Sequence, residues 1–339
     1  MAGNMATEIE RLKRAIDTNN VERVKELMTA NPSLHRAPMG YGNDGPLTWA
    51  AECRVPWEPP GETRLAMARW MIENGSDVHQ GGDGPLMRAA LSGYRVPMME
   101  LLVAHGADVN ARWHSDYPIL FAACEAVDPV SLKWLLEHGA DPNCGALDYV
   151  IGSYSRSAEA LAACIEFLQA HGGTTKYDKP GVLPILRGRL DELAALLKAD
   201  PALVERRHPE LDFGTTGGRM LTLGGATLLH LAAEYQDAGA VRMLLDAGAD
   251  VNARAMVDDA GVGGQTAIFH AATQNDDGGL EVVRLLLERG ADLSVCARVP
   301  GHYERPGEIV EGPVMGYAQR FPGGKNRTVA LLRQHGAPQ

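Results

Sequence analysis

Thr227-Leu-Leu-His-Leu-Ala-Ala233 and Leu245-Asp-Ala-Gly-Ala-Asp-Val251 follow one another in the chain, and copies of both phrases return along it. In the second phrase, the glycine after an apolar helix end takes the left-handed conformation that closes a helix without a Cβ clash. Asp250-Val-Asn252 then favours a turn. Further copies occupy residues 72–78, 103–109, 136–142 and 287–293. The first three lie roughly 33 residues apart, a period typical of stacked helix–turn–helix repeats.

The first phrase opens each unit. Thr266-Ala-Ile-Phe-His-Ala-Ala272 is a close variant, and weaker copies begin at Pro46, Pro85 and Pro118. The leading threonine suits a helix cap, and proline suits a first helical turn. The alanine pair gives the helix a thin face that a neighbouring unit can approach closely. Together the two phrases predict an array in which each unit packs against its neighbours.

Both phrases resemble those of ankyrin-repeat proteins, and the resemblance covers Thr7 to Ala337. It implies an all-α solenoid of about nine helix–turn–helix units, with extended hairpin fingers in the C-terminal half. The ending Lys198-Ala-Asp-Pro-Ala-Leu203 repeats the pattern of Met28-Thr-Ala-Asn-Pro-Ser-Leu34. We therefore predict an N-terminal sub-array over residues 1–176 and a C-terminal sub-array over residues 177–339.

Composition excludes several classes of function. The chain has 32 basic and 43 acidic residues and a formal net charge of −11, which argues against binding to nucleic acid or to an anionic membrane surface. The five cysteines include no Cys-x-x-Cys pair, so we expect no structural zinc, and no motif indicates a metal or cofactor. Without a secretory h-region or a long apolar run, the chain is expected to be cytoplasmic.

Three insertions in the C-terminal half depart from the period. They cover residues 206–225, 255–264 and 297–312, each between two units, where ankyrin proteins form fingers. Because they belong to successive units, we expect the three fingers to project side by side. Their histidine, tyrosine, arginine and carboxylate side chains are capable of forming a polar pocket, whereas charged loops are more usually solvated.

A catalytic role for these fingers is an alternative that the sequence leaves open. The substrate would be a polar metabolite such as a sugar or carboxylic acid, and the enzyme a lyase, isomerase or hydrolase. His302 near Glu308 and Asp212 suggests general acid–base chemistry. The alternation from His208 would also place potential metal ligands on one side of a strand, but a lone pattern of this kind does not change the expectation of no metal. Neither a nucleophile elbow nor a phosphate-binding loop motif is present. The candidate catalytic residues are His208, Glu210, Asp212, Asp258, His302, Tyr303 and Glu308.

The resemblance implies that the chain binds a protein partner, through finger tips and through groove residues just after each alanine pair. The acidic balance favours a basic segment in that partner, while a small polar ligand and a scaffold role stay open. His230 stands at the consensus histidine position and is expected to be structural, whereas His270 lies one place later and faces either the groove or the core. The candidate binding residues are Trp49, Glu52, Trp113, Arg219, Glu234, Tyr235, His270, Gln274, Arg305 and Arg320.

Overall fold

The computed structural model describes residues 2–40, 44–54, 58–91, 93, 95–154, 157–216, 218–321, 323–324 and 326–338. Helices dominate this part of the chain: α1 (Ala2–Asp17), α2 (Val21–Ala30), α3 (Pro46–Glu52), α4 (Glu62–Glu73), α5 (Gln80–Leu91), α6 (Val96–Ala104), α7 (Ile119–Ala126), α8 (Pro129–Glu137), α9 (Ala146–Ile151), α10 (Ala158–Ala170), α11 (Val182–Leu186), α12 (Leu190–Ala199), α13 (Leu228–Glu234), α14 (Ala238–Asp246), α15 (Ala267–Ala272), α16 (Leu280–Glu288), α17 (Val314–Arg320) and α18 (Asn326–Gln334).

Short 3₁₀ helices and strands complete the secondary structure. The 3₁₀ helices are Pro32–Arg36, Pro201–Glu205 and Asn275–Asp277. Two antiparallel hairpins are formed by β1 (Arg112–Trp113) with β2 (Tyr117–Pro118), and by β3 (Cys296–Pro300) with β4 (Ile309–Pro313). The predominantly helical architecture predicted from the sequence is confirmed, although strands make it less than purely α-helical. None of the helices in the described residues is long and apolar enough to cross a membrane.

The chain divides into two compact units, residues 1–150 with 163–174 and residues 151–162 with 175–339. In the first unit the odd-numbered helices α1, α3, α5 and α7 pack in sequence, and the even-numbered helices α2, α4, α6 and α8 form a second row. The second unit has the same two rows, α11, α13, α15 and α17 beside α12, α14, α16 and α18. The alanine pairs lie within these rows: Ala232, Ala233, Ala271 and Ala272 are buried, as a thin stacking face requires.

The glycines of the recurring phrase close the even-numbered helices in the predicted left-handed conformation. At the second residue after the helix end, φ lies between 86° and 116° in five copies: Gly75, Gly106, Gly139, Gly248 and Gly290. The next amide returns to the helix, as when Ala249 N donates to Leu244 O at 3.0 Å. The prediction made from the glycine is therefore confirmed.

The asparagine four residues after the glycine of the recurring phrase joins one repeat to the next. The Asn252 amide Nδ2 donates to Gly290 O at 3.2 Å, and its Oδ1 accepts from Asp292 N at 2.7 Å. Asn110 and Asn143 make the same pair of bonds to the repeats that follow them. One asparagine side chain thus forms hydrogen bonds with two backbone groups in the turn after the even-numbered helix of the next repeat.

His230 is buried in α13 as a neutral imidazole. Its Nε2 donates to Gln265 O at 3.1 Å and its Nδ1 accepts from Thr227 N at 3.3 Å, so both ring nitrogens are used without a charge. Burial, together with the charge of nearby His270, lowers its pKa from 6.5 to about 3. The histidine therefore has the structural role expected from its consensus position.

The stability of the fold should fall with acidification because of His230. In the unfolded chain this histidine is protonated below its ordinary pKa of 6.5, whereas in the folded chain it is protonated only near its lowered pKa of about 3. Stability from this source is fully present above 6.5, and between pH 7 and pH 5 about 2 kcal/mol should be lost. Urea unfolding at both values checks this. His230→Gln lacks the titration and should show a smaller pH-dependent loss, and equal losses would contradict the assignment.

Candidate functional site

The first and third fingers, residues 206–225 and 297–312, are joined by backbone hydrogen bonds. Met220 N donates to Gly301 O at 3.0 Å, and Tyr303 N donates to Gly218 O at 2.9 Å. The third finger is itself the β3–β4 hairpin, paired from Cys296 with Pro313 to Pro300 with Ile309. The two fingers therefore form one hydrogen-bonded surface.

The second finger, residues 255–264, is bonded to both neighbours. Met256 N donates to Gly225 O at 3.0 Å, and Gly263 exchanges bonds with Arg298, at 2.6 Å from Gly263 N and 3.2 Å from Arg298 N. Gly263 has φ of 129°, and a Cβ there would lie 2.2 Å from Met256 O. Glycine is required at this crossing because the two backbones approach too closely for any side chain.

Arg219 anchors the first finger to the helices beneath it. Its Nη2 donates to Glu234 Oε2 at 2.5 Å, its Nη1 donates to Leu221 O at 3.3 Å, and the side chain has no exposed surface. The same Glu234 oxygen bonds His270 Nδ1 at 2.8 Å. Nearby, burial and the Glu234 charge raise the pKa of Tyr317, against a lowering by Arg219. A buried ion cluster thus joins the finger to α13 and α15.

This cluster corrects the expectation that residues after the alanine pairs face an open groove. Glu234, Tyr235, His270 and Gln274 are all buried, and so is Arg219. Arg219 and His270 both bond the same oxygen of Glu234, so the Glu234 carboxylate takes part in an internal ion pair. Gln274 Nε2 donates to His270 O at 2.9 Å. The groove expectation is wrong for Glu234, Tyr235 and Gln274 because all three are buried, and His270, for which the core was the alternative, is buried as well.

His208, Glu210 and Asp212 do not join the third finger. His208 is buried and its Nδ1 lies 3.2 Å from Glu210 Oε1. Asp212 accepts hydrogen bonds from Lys176, at 2.7 Å, and from Tyr177, and these two bonds lower its pKa. No group of three potential metal ligands occurs among the residues that the structure describes.

His302 and Glu308 are half-buried and belong to an ion cluster with the exposed side chains of Glu304, Arg305 and Arg320. Glu308 Oε1 accepts from Arg320 Nη2 at 2.8 Å and from Arg305 Nη1 at 3.1 Å. His302 Nδ1 lies 3.7 Å from Glu304 Oε2 and accepts a bond from Glu304 N. The carboxylate that the acid–base hypothesis assigned to His302 is therefore engaged by two arginines, and Asp212 is paired elsewhere.

The remaining candidate site residues form hydrogen bonds inside the unit to which they belong. Asp258 Oδ1 accepts from Ala260 N at 2.9 Å and Val262 N at 2.8 Å, which closes the tip of the second finger. In the first unit, Trp49 Nε1 donates to Asp17 and Trp113 Nε1 donates to Asp44, and both indoles are half-buried. Glu52 is buried and accepts from Arg54 at 2.7 Å.

Large side chains exposed on and beside the fingers form a feature that sequence reasoning identified only in part, since Tyr303 alone was among the candidate residues. Tyr154 and Tyr303 are 62% and 58% exposed, and Met220 lies with them around a cavity of about 650 Å³. We call Met220 and Tyr303, on the first and third fingers, together with Tyr154, which follows α9, the finger surface. Met256 and Val257 are exposed around a second cavity of about 360 Å³. The signal available in the sequence was methionine and valine within loops that were otherwise polar.

Comparison with known proteins identifies the repeat. A family model described as ankyrin repeats (3 copies) matches residues 61–146 and 190–295, more than half of the chain. BCL-6 corepressor-like protein 1 of Mus musculus is 31% identical over 143 residues, which are 42% of this chain and 8% of that protein's length. The crystal structure of the human ASB11 ankyrin repeat domain is 22% identical, covers 74% of this chain and 99% of its own, and has a TM-score of 0.43. The chain belongs to the ankyrin-repeat family.

Proposed function

We propose that this chain binds a protein partner through the finger surface of its C-terminal unit. Ankyrin repeats generally mediate protein–protein interaction. The observation that carries the proposal is the cluster of exposed Tyr154, Met220 and Tyr303 around one cavity. Tyrosine and methionine are enriched where interfaces bury their energetic centre, and an exposed apolar patch on a folded domain marks an interaction site.

The backbone beneath the finger surface is held before any partner arrives. Met220 and Tyr303 are each fixed by a backbone bond between fingers, and Thr216 Oγ1 donates to Tyr154 O at 3.2 Å. Side chains presented by a preorganised backbone cost less entropy on binding. This favours the fingers over the groove positions, where Glu234 and His270 are buried.

The charge of the chain supports a basic segment in the partner. A net charge of −11 gives long-range attraction for such a segment and speeds its encounter. Association should therefore weaken as salt is raised, since screening shortens the range of the field to about 8 Å at 0.15 M ionic strength.

We infer that the array comprises nine helix pairs in two sub-arrays joined near residue 176. The described residues form eighteen helices. In α1–α8 and in α11–α18 the odd-numbered and the even-numbered helices form two rows, and each row packs in sequence within its unit. The three fingers belong to successive pairs of the second sub-array. This organisation would supply a continuous row of fingers for a partner to contact.

Removing the finger surface should abolish partner capture. Tyr303→Ala and Met220→Ala are expected to reduce capture of a specific protein from source-organism extract by about tenfold or more, the usual consequence of losing an interface centre. Quantitative mass spectrometry of proteins bound to the immobilised chain measures this.

Val130→Ala is the matched control, since Val130 is an exposed apolar residue of the other unit. It should leave capture unchanged, and circular dichroism should show all variants folded. If the same proteins are captured equally by the wild type and by the folded Tyr303 and Met220 variants, the proposal is wrong.

A further inference from the structure

The cavity of about 360 Å³ between the first and second fingers is separate from the finger surface. We call it the finger cavity. Its walls include Met256, Val257, Leu221 and Pro300, with Met256 and Val257 50% and 55% exposed. Methionine adapts its shape to an inserted side chain, and the long aliphatic wall suits an unbranched alkyl stem.

One of the residues that line the finger cavity, Gln265, has a buried hydrogen-bond acceptor without a donor. Gln265 is only 3% exposed. Its Nε2 donates to Thr222 O at 3.4 Å, while its Oε1 has no hydrogen-bond partner among the described residues. A buried amide oxygen without a donor favours a ligand that brings one.

Asp258 gives the same cavity a negative charge. Only its Oδ1 is used by the backbone of the finger tip, in the bonds to Ala260 N and Val262 N. The lining residues that the structure describes include no lysine or arginine. The nearby Arg298 donates hydrogen bonds to Ala260 O and Gly261 O, at 3.3 and 3.4 Å, and forms a salt bridge with Glu311 at 3.5 Å.

We propose that the finger cavity takes an arginine side chain from the basic segment of the protein partner. The aliphatic stem lies along Met256 and Val257, and the guanidinium donates to the Asp258 carboxylate and to Gln265 Oε1. Arginine fits better than lysine because its planar group presents five donors in a fixed fork, enough for two acceptors on different residues. This inference rests on the proposed function and names the residue type that the chain recognises.

A small probe tests the cavity without the partner. The chain is labelled with ¹³C-methyl methionine and titrated with acetyl-arginine methylamide up to the solubility limit of the probe. The Met256 methyl signal, assigned with Met256→Leu, should shift in a saturable way, while that of Met220, outside the cavity, stays in place. Acetyl-citrulline methylamide has the same shape without the charge and should bind about tenfold more weakly, as expected for the loss of a charge-assisted bond.

Asp258→Asn is the decisive variant because an asparagine Oδ1 still accepts the two backbone bonds that shape the finger tip. It should weaken arginine-probe binding about tenfold. Asp259→Asn, the same change at the neighbouring exposed residue outside the cavity lining, should have no effect. An unmoved Met256 signal, equal binding of the citrulline probe, or equal effects of the two variants would each overturn the proposal.

The two proposals fail in different ways. If Tyr303→Ala abolishes partner capture while Asp258→Asn leaves it intact, the partner binds the fingers but does not use the finger cavity, and the arginine inference falls. If the arginine probe binds at Met256 while Tyr303→Ala leaves partner capture intact, the cavity stands and the proposed finger surface falls.

Discussion

Arg219→Met is expected to lower the free energy of unfolding by about 3–5 kcal/mol, the largest effect that we predict for a polar side chain. The substitution keeps most of the stem volume but leaves the Glu234 carboxylate buried without its guanidinium, with His270 Nδ1 still bonded to it. Breaking one side of a buried ion pair costs that much because the remaining charge loses its partner without regaining water. Chemical denaturation followed by circular dichroism measures the change.

Arg305→Met provides the matched control. Arg305 also pairs with a carboxylate, that of Glu308 at 3.1 Å, but its side chain is exposed. An exposed pair contributes about 0–1 kcal/mol, so the control should be close to neutral. The double variant Arg219→Met with Glu234→Gln should be more stable than Arg219→Met alone, because the uncompensated charge is removed. A loss below about 1 kcal/mol for Arg219→Met would show that the cluster is not an essential anchor.

Gly279→Ala is expected to lower the free energy of unfolding by about 3 kcal/mol, at the upper end of the usual cost of overpacking. Gly279 precedes α16, and its φ of −83° is ordinary for any residue. The constraint is contact: an added Cβ would lie 1.9 Å from Ala271 O and 2.8 Å from Ala271 C. Because these are backbone atoms of α15, the two helices of the repeat must separate to accept even one methyl group.

Gly316→Ala tests whether the effect comes from contact or from alanine itself. Gly316 lies inside α17, and an added Cβ would meet no atom within 4 Å. Alanine is the better helix former by up to about 1 kcal/mol, so this variant should be neutral or more stable. Thermal and urea unfolding of the two variants, side by side, measure the difference. Equal behaviour would mean that α15 and α16 do not meet as closely as the structure places them.

Much of the fold was open to prediction because its causes are local. The left-handed glycine of the recurring phrase, the asparagine two residues after the Asp and the alanine pair act within one unit and its neighbour, so they recur as recognisable motifs. The three insertions were visible for the same reason, since they interrupt a regular period. His230 was interpreted correctly as structural because the consensus position implies its bond to the next finger.

The proposed binding surface could not be predicted in the same way. Glu234 has the spacing of a groove residue, and nothing near it in the chain indicates that Arg219 pairs with it in the interior. The exposed surface was equally hidden from the sequence. Met220 and Tyr303 belong to different fingers and become one surface only through backbone bonds between those fingers.

The sequence by itself determined the repeat, the family and the mostly helical architecture, because turns and helix ends depend on a few adjacent residues. Only the tertiary structure decided which polar side chains are buried in ion pairs and which apolar ones face solvent. Those outcomes depend on contacts between residues far apart in the chain, such as Glu234 with His270, 36 positions later. Such a contact exists only once the stacked repeats bring the fingers and helices together.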